Sequence, residues 1–314
     1  MIRIGEGLIG EAALPEGRLF LVTDEAVEAA GWPDRLGAAF AGRFALAPGE
    51  AGKTLANVER LLDALIEAGI GRGDHVVAVG GGVVGDVAGF AAALLKRGTN
   101  WIAVPTSLIA QADSAIGGKT GVNARQGKNL IGAFHPPALV LIDPVALDTL
   151  PPKELRAGYA EVVKYGLIGD PAFFAWCEAN GAALIAGDRA ARLHAIETCV
   201  AAKAAYVRGD ERDTQGRRAL LNFGHSFGHA IEAETGIRHG EAVAIGMAMA
   251  LRLSVERGLC PSGDADRAIA HLASVGLPTA TELDPARLAA RMAHDKKGGA
   301  LVLTRGIGKA FLDA

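Results

Sequence analysis

The chain of 314 residues has few cysteines, few aromatic residues and no large excess of either charge. Its three cysteines, Cys177, Cys199 and Cys260, are odd in number and far apart, which excludes a disulfide framework and a CxxC metal knuckle. We therefore expect buried free thiols in a reducing cytosol. The formal net charge is −3, and no run of basic residues indicates binding to nucleic acid or to a membrane surface.

Long hydrophobic runs are absent as well. No stretch of about 18 apolar residues is free of charge or glycine, so no transmembrane helix is predicted. Residues 1–17 contain acids and glycines where a signal peptide needs a basic start and an apolar core. These absences predict a soluble, cytoplasmic protein. Apolar residues (50%) and glycine (42 residues) are abundant, which is typical of a loop-rich α/β protein.

The first half of the chain alternates short apolar runs with helical patterns. Strands are predicted at 18–24, 75–82, 101–105 and 138–143, and a helix is predicted within 54–74. This alternation indicates a parallel sheet with helices on both of its faces.

The character of the chain changes at a Pro-Pro pair at 151–152. The following residues have helical patterns and are rich in alanine, and residues 300–312 are predicted to add a small strand pair. We place the domain boundary near residue 147. The prediction is an α/β N-terminal domain at 1–147 and a mostly α-helical C-terminal domain at 148–314.

Three of the eight histidines lie within residues 222–242. On a helix, His225 and His229 point from the same face, which suits two imidazoles on one metal ion or one ligand beside an acid–base group. His239 precedes an apolar run and would lie at the start of a buried helix. A helix cap with two partly buried imidazoles is the alternative, and the residues alone leave both interpretations open.

A catalytic metal site of this kind also needs a carboxylate. Glu161 is a candidate because it lies in the apolar helical stretch AGYAEVVKYG. A salt bridge from Glu161 to Lys164, one turn further on, is the alternative role for this residue.

A cluster of glycines follows the strand predicted at 75–82. A strand, then glycines, then a helix presents backbone N–H groups to a pyrophosphate at the helix N-terminus. The spacing, which includes Gly85 and Gly89, does not match G-x-G-x-x-G, and these two glycines would equally let a helix pack close to the sheet. Asp24, at the end of an earlier strand, is a candidate acceptor for ribose hydroxyls or a plain turn residue.

Residues 105–137 are rich in glycine and contain two lysines. Lys119 within GGKTG resembles a phosphate loop, but the P-loop spacing fails because residue 113, where the first glycine would stand, is aspartate. Lys128 and Asn129 follow. We interpret this segment as a loop that suits a phosphate or a polyhydroxylated anion, with solvated surface lysines as the alternative.

Further cations are scattered among otherwise apolar or glycine-rich stretches. In an acidic chain such cations usually have a partner, and a substrate with two anionic groups would gather them. They are Arg97, Lys164, Lys203, Arg218, Lys296 and Lys297.

The order of these motifs resembles that of the 3-dehydroquinate synthase family from about residue 19 to residue 312. The resemblance rests on VTD, GEAGK, GGGVVGDVAGFAA, GKNLIGAFHPP, AGYAEVVKYGLI, RRALLNFGHSFGHAIE and HGEAVAIGM. It implies an N-terminal Rossmann-like domain that binds NAD, a mostly α-helical C-terminal domain that binds zinc or cobalt, and a substrate cleft between them.

The resemblance also implies roles for single residues. The implied metal ligands are Glu161, His225 and His239, which leaves His229 for substrate contact and proton transfer. The implied NAD-binding residues are Asp24, Glu50, Lys53, Gly80, Gly81, Gly82, Asp86, Thr106, Ser107, Lys119 and Lys128. The implied substrate-binding residues are Arg97, Asp113, Lys119, Lys128, Asn129, Lys164, Lys203, Arg218, Asn222, His229, Lys296 and Lys297. Those implied in catalysis are Lys119, Lys164, Asn222 and His229. Arg97 would reach the substrate phosphate from the neighbouring subunit, which implies a homodimer.

The reaction implied by the resemblance converts 3-deoxy-D-arabino-heptulosonate 7-phosphate to 3-dehydroquinate and phosphate. It proceeds by transient oxidation by NAD, β-elimination of phosphate, re-reduction and intramolecular aldol closure. Alternatives are the sister sugar phosphate cyclases that make 2-deoxy-scyllo-inosose or 2-epi-5-epi-valiolone, the metal-dependent polyol dehydrogenases, and a non-catalytic binding module. Retention of Lys203, Arg218 and Asn222 favours a substrate with a carboxylate.

The chain departs from the family pattern in four places, one of which is that its N-terminus lacks much of the usual first strand region. Asp213 stands where the family usually has glutamate, and one residue is inserted before Arg217. The choice of Arg218 therefore rests on counting back from Asn222. The segment between His229 and His239 is shorter than usual. Together, these departures make the residues that contact the substrate carboxylate harder to assign.

Overall fold

The computed structural model describes residues 1–210, 212–213, 216–295 and 300–313. The chain divides into two compact units, Met1–Leu150 and Pro151–Ala314. It passes from one to the other at the Pro-Pro pair, close to the boundary predicted near residue 147.

The first unit is built on a six-stranded parallel sheet. Its strands are β1 (Ile2–Ile4), β2 (Leu19–Asp24), β3 (Phe40–Leu46), β4 (His75–Gly80), β5 (Asn100–Pro105) and β8 (Leu139–Ile142). They lie side by side in the order β1-β8-β5-β4-β2-β3. A separate antiparallel hairpin consists of β6 (Lys119–Ala124) and β7 (Gly127–Phe134). The helices are α1 (Leu8–Glu11), α2 (Glu25–Ala29), α3 (Leu55–Glu67) and α4 (Gly82–Leu94).

The core of this unit follows the central strands. Val77, Val79, Ile102 and Val104 are fully buried, and each contributes roughly 1.5–3 kcal/mol by leaving water. Central strands of a parallel sheet are covered on both faces, so they read as continuous apolar runs. For this reason the sequence predicted β2, β4, β5 and β8, and the α/β class is confirmed.

Two edge strands and the hairpin were not predicted. The short β1 is largely exposed, and β3 alternates between half-buried and exposed residues. The interpretation of residues 119–134 as a loop is wrong. Gly121 and Gly132 face each other across the hairpin, where a Cβ on either would overlap backbone atoms of the other strand. The glycines that suggested a loop therefore permit two strands to pair closely.

The second unit is mostly helical, as predicted. Its helices are α5 (Pro152–Gly169), α6 (Pro171–Ala186), α7 (Arg189–Val207), α8 (His225–Thr235), α9 (His239–Glu256), α10 (Ser262–Ser274) and α11 (Pro285–Asp295). The predicted strand pair is confirmed as an antiparallel hairpin of β9 (Leu301–Thr304) and β10 (Ala310–Asp313). None of the described helices is long and apolar enough to span a membrane.

Helix α5 runs through the interior of this unit, with every residue from Ala157 to Ile168 buried. Proline at its first position supplies a preset φ and lacks an N–H that would have no partner there. Ala230 and Ile231 of α8 pack against Ala242 and Ile245 of α9. The three cysteines are free and buried, as predicted. The packing of α5, α8 and α9 positions the histidines described next.

Candidate metal centre

Helix α8 begins at His225, directly after Gly224. Gly224 has a φ of 79°, a left-handed conformation that glycine adopts without strain. One turn further on, His229 lies on the same face, and the two ring centroids are 5.3 Å apart. His239 is the first residue of α9, and its ring centroid lies 5.4 Å from that of His225. The structure thus brings the three predicted histidines together.

Glu161 of α5 lies beside these rings with only 1% of its side chain exposed. Its Oε2 is 2.5 Å from Lys164 Nζ, so the predicted salt bridge exists. Its Oε1 is 3.4 Å from Nε2 of His225 and 3.4 Å from Nε2 of His239. The salt bridge and the metal site are therefore compatible, because each uses a different carboxylate oxygen.

Among the described residues, Glu161, His225 and His239 form a group whose potential ligand atoms all lie within 4.8 Å of one another. One carboxylate oxygen and two imidazole nitrogens are a donor set typical of a catalytic zinc site, which has three protein ligands and an open position. His229 lies outside this group.

The polar atoms of the group favour a cation. The Nδ1 atom of His225 lies 3.2 Å from the carbonyl oxygen of Phe223. A carbonyl only accepts, so Nδ1 of the neutral ring carries the proton and the Nε2 lone pair faces Glu161 Oε1. Neither oxygen of Glu161 accepts a well-formed hydrogen bond from a described residue. Two acceptors that face each other in a buried place fit a bound metal ion.

The second metal-facing histidine has a different partner on its outer side. Nδ1 of His239 lies 3.1 Å from Oε2 of Glu232, near the end of α8. Glu232 was not among the residues predicted from the sequence. Its signal was the i, i+4, i+7 spacing of His225, His229 and Glu232, which places all three side chains along one helix face.

The charges of the group shift the pKa values in opposite directions. Burial raises the pKa of Glu161, but Lys164 above all, with His225 and His239, outweighs burial and holds that pKa well below its usual range. Burial lowers the pKa of His225 to about 3, although Glu161 opposes this. Burial also opposes the charged form of His239, but the nearby carboxylates of Glu161 and Glu232 outweigh it and raise the pKa to about 9.

Glycines bring the three ligand-bearing helices into close contact. A Cβ at Gly240 of α9 would overlap the carbonyl oxygen of Ala157 of α5. A Cβ at Gly246, also on α9, would overlap the carbonyl oxygen of Gly224 before α8. Backbone contacts thus determine how near Glu161 stands to the histidines.

In the first unit, the predicted glycine turn connects β4 to α4. The strand ends at Gly80, Gly81 precedes the helix, and Gly82 is its first residue. A small pocket is lined by all three glycines, together with Asp86, Ser114 and Lys119. The first N–H groups of α4 therefore border a pocket, as a phosphate-binding turn requires. Of the two other glycines of α4, Gly89 packs against Thr120 and Trp101, whereas a Cβ at Gly85 would meet open space.

A cluster of charged and amide groups lies on the same unit. Lys53 forms an ion pair with Asp86. Glu50 Oε1 accepts a 2.8 Å hydrogen bond from the side-chain amide of Asn123 and lies 3.4 Å from Lys128 Nζ. Four residues implied in NAD or substrate binding are thus engaged within one cluster.

Asp24, Thr106 and Ser107 are also implied in NAD binding. Asp24 caps α2, and its Oδ1 accepts hydrogen bonds from the N–H groups of Ala26 and Val27. Thr106 is buried, and its N–H donates to the carbonyl of Gly80 at the end of β4. The turn role of Asp24 is therefore observed, and its ribose contact stays a prediction.

Two family models match the chain. The model described as 3-dehydroquinate synthase N-terminal matches residues 43–157, and that described as 3-dehydroquinate synthase C-terminal matches residues 158–298. The chain belongs to the 3-dehydroquinate synthase family.

Individual relatives agree with this assignment. The 3-dehydroquinate synthase of Rhodospirillum rubrum is 53% identical, with 99% of this chain and 87% of that protein covered. A 2-epi-5-epi-valiolone synthase from Streptomyces hygroscopicus subsp. jinggangensis 5008, solved with NAD+ and Zn2+ bound, has a TM-score of 0.91 and 32% identity, with 100% and 92% of the two chains covered. A 2-deoxy-scyllo-inosose synthase complexed with carbaglucose-6-phosphate, NAD+ and Co2+ has a TM-score of 0.88 and 30% identity, with 99% and 90% covered.

The remaining residues implied by the 3-dehydroquinate synthase family are spread over both units. Lys203 of α7 and Arg218 are buried, whereas Arg217 is exposed. Asn222 and Arg97 are exposed. Asp113 lies in the short π-helix Ala110–Ser114, Lys119 begins β6, and Asn129 lies in β7. Lys296 and Lys297 lie outside the described residues. The substrate roles of all these residues stay predictions.

Proposed function

We propose that this chain is a 3-dehydroquinate synthase, a carbon–oxygen lyase of the shikimate pathway that serves aromatic amino acid biosynthesis. It would convert 3-deoxy-D-arabino-heptulosonate 7-phosphate to 3-dehydroquinate and phosphate. The observation that carries the proposal is 53% identity to the R. rubrum enzyme across 99% of the chain. The first unit would be the NAD-binding domain and the second the metal- and substrate-binding domain.

Glu161, His225 and His239 would hold a Zn2+ or Co2+ ion, the metals that accompany the two similar cyclases. Such an ion acidifies a bound hydroxyl and polarises a carbonyl. The protein's own contribution is to present three ligand atoms while Lys164 neutralises the second oxygen of Glu161. That arrangement leaves one oxygen of Glu161 for the metal.

The glycine turn before α4, Asp86, Lys53 and the end of β2 would hold NAD. NAD supplies a reversible hydride acceptor, so that oxidation and re-reduction of the substrate leave no net NADH. The N-terminal N–H groups of α4 suit the pyrophosphate. Asp24 keeps its Oδ2 for the ribose while Oδ1 caps α2.

His229 is the residue proposed to carry a proton during the reaction. Its ring centroid lies 5.3 Å from that of His225 and 5.9 Å from that of His239, so it borders the metal ligands without belonging to them. An imidazole can both take and give a proton in general acid–base catalysis. Lys119, Lys164 and Asn222 are proposed to orient the substrate during the same steps.

We further propose a cytoplasmic homodimer in which Arg97 of one subunit reaches the substrate phosphate bound to the other. Arg97 is exposed, in a turn with a φ of 64°. Leu130 and Phe134 of β7 expose 59% and 48% of their surface, which favours contact with a second copy. Three buried free thiols favour a reducing compartment. Light scattering of the purified protein checks the dimer.

Phosphate release by the pure protein with NAD and Zn2+ tests the function. The heptulosonate phosphate, glucose 6-phosphate and sedoheptulose 7-phosphate are offered in parallel, while NADH is followed by its near-ultraviolet absorbance. We expect release from the first substrate alone, with no accumulation of NADH. The His225→Ala variant, purified in the same way, reports phosphate from contaminating phosphatases.

Other outcomes would reassign the protein. Release of phosphate from glucose 6-phosphate or sedoheptulose 7-phosphate instead would make it a sister cyclase. The two cyclases whose solved structures have TM-scores of 0.91 and 0.88 against this chain belong to that class. Accumulating NADH would make it a dehydrogenase. NAD binding without turnover of any substrate would make it a binding module.

A further inference from the structure

We propose that Glu232 is a positioning residue whose carboxylate holds the ring of His239 so that Nε2 faces the metal. This inference rests on the metal site assigned under the proposed function. Glu232 lies near the end of α8 and His239 at the start of α9, with only residues 236–238 between the two helices. The contact therefore joins two neighbouring helix ends.

The two nitrogens of the His239 ring have different partners. Nδ1 lies 3.1 Å from Glu232 Oε2, and Nε2 lies 3.4 Å from Glu161 Oε1. A carboxylate accepts hydrogen bonds, so Nδ1 carries the proton and donates to Glu232. When a metal takes the lone pair of Nε2, this is the tautomer that it requires.

His239 needs such a partner more than His225 does. Only 12% of the His225 side chain is exposed, and a backbone carbonyl fixes its Nδ1. The His239 side chain is 34% exposed, so the surrounding packing leaves its ring partly free to turn. Glu232 is itself 9% exposed, and it supplies the orientation that packing does not.

Charge gives Glu232 a second effect. A carboxylate that accepts from the outer nitrogen of a histidine makes the inner nitrogen a stronger donor to a metal. A carbonyl does this less strongly because it carries no net charge. The two imidazole ligands are therefore unequal, with His239 the stronger donor and Glu232 the cause.

The test compares Glu232→Gln with Glu234→Gln. Both substitutions replace a carboxylate by an amide on the same helix. Glu234 is a matched control because it pairs with Arg287 and Arg291 of α11, away from the histidines. Glutamine at 232 still offers a carbonyl oxygen to His239 Nδ1, so the link between the helix ends is retained while its charge is removed.

The measurement is the affinity of the metal-stripped protein for Co2+, by titration against a competing chelator, together with the visible absorption of bound Co2+. We expect Glu232→Gln to weaken Co2+ binding by about tenfold, the lower end of the 10–100-fold caused by mutating the partner of a ligating histidine, because the link is kept and only its charge is lost. The absorption bands of bound Co2+ should shift as well. Glu234→Gln should match the unaltered protein in both. Unfolding midpoints of the metal-free proteins verify that each variant is folded.

Each result bears on one claim. If the unaltered protein takes up no stoichiometric Co2+, the metal site of the proposed function fails, and this inference fails with it. If the unaltered protein binds Co2+ and the two variants bind it equally well, the metal site stands and the claim that the carboxylate of Glu232 prepares His239 as a ligand is overturned. A weaker affinity and shifted bands in Glu232→Gln alone support the inference.

Discussion

The carboxylates of the two clusters, one in each unit of the molecule, have different partners. In the first unit, Asp86 is paired with Lys53, and Glu50 with Asn123 and Lys128. In the second unit, Lys164 approaches one oxygen of Glu161, while the other oxygen faces two imidazole nitrogens without a well-formed hydrogen bond from a described residue.

This difference indicates what each cluster is able to bind. Charges that are already matched hold backbone and side chains in place around the glycine turn. Acceptor atoms that face one another need a cation between them. Three experiments test this distinction, and a fourth tests a buried group outside both clusters.

The largest effect is expected from His225→Ala. Removal of one of three ligands should abolish the stoichiometric binding of zinc and, with it, turnover. This loss should exceed the roughly 10–100-fold weaker metal binding caused by mutating a residue that hydrogen-bonds to a ligand. Elemental analysis of the purified protein and the phosphate-release assay measure both. His194→Ala, an exposed histidine outside the cluster, is the control and should keep its metal. Full zinc in His225→Ala would remove this residue from the ligand set.

The ion pair between Lys53 and Asp86 in the first unit should contribute to the stability of the fold. Asp86→Asn leaves the ammonium of Lys53, only 7% exposed, without its partner. We expect the free energy of unfolding to fall by about 2–3 kcal/mol, just below the range for a fully buried pair because Asp86 keeps some contact with water. Urea unfolding followed by fluorescence checks this. Glu28→Gln removes one member of an exposed pair with Arg43 and should change stability little. Equal effects would contradict a special role for burial.

The Lys164→Met variant tests whether Lys164 and a metal ion compete for the carboxylate of Glu161. Without the ammonium, the metal-free protein has an unpaired buried carboxylate, and a metal ion replaces the missing positive charge. We expect a lower melting temperature without metal, a larger rise on adding zinc, and roughly three- to tenfold tighter zinc binding, because one repulsive charge is gone. Turnover should fall, since Lys164 is also proposed to bind substrate. An unchanged zinc shift would show that Lys164 and the metal do not compete.

The smallest effect concerns a buried histidine outside both clusters. Nε2 of His271 lies 3.0 Å from the hydroxyl of Tyr159, and burial lowers the pKa of His271. The unfolded chain therefore binds the proton more readily, and the stabilisation by neutral His271 is lost as pH falls below about 6.5. The stability difference between the unaltered protein and His271→Gln should shrink from pH 8 to pH 5.5. The exposed His194→Gln variant is the control, and a parallel decline in it would refute the role of burial.

The sequence predicted those features that depend on local periodicity. His225 and His229 share a helix face because they are four residues apart, and the buried strands of the parallel sheet are continuous apolar runs. The pattern alone did not decide which histidines face Glu161. That depends on how closely α5 approaches α9, which Gly240 and Ala157 determine across more than 80 positions of sequence.

Other features were not predicted because their signals in the sequence are ambiguous. Gly121 and Gly132 are compatible with a loop until the two strands are seen to pair. Glu232 is an ordinary helix residue until the chain turns back at Gly236 and brings His239 beside it. In each case a contact between segments, rather than the composition of one segment, creates the feature.

The glycine contacts between the ligand-bearing helices also bear on how this protein can evolve. Every amino-acid change that one nucleotide substitution can make in a glycine codon adds at least a Cβ. At Gly240 and Gly246 that atom has no room, so such a change would push apart the helices that carry the ligands. Random mutagenesis should therefore return few active clones altered at these two codons. New specificities would have to arise from side chains around the centre, while the spacing of the centre itself is inherited unchanged.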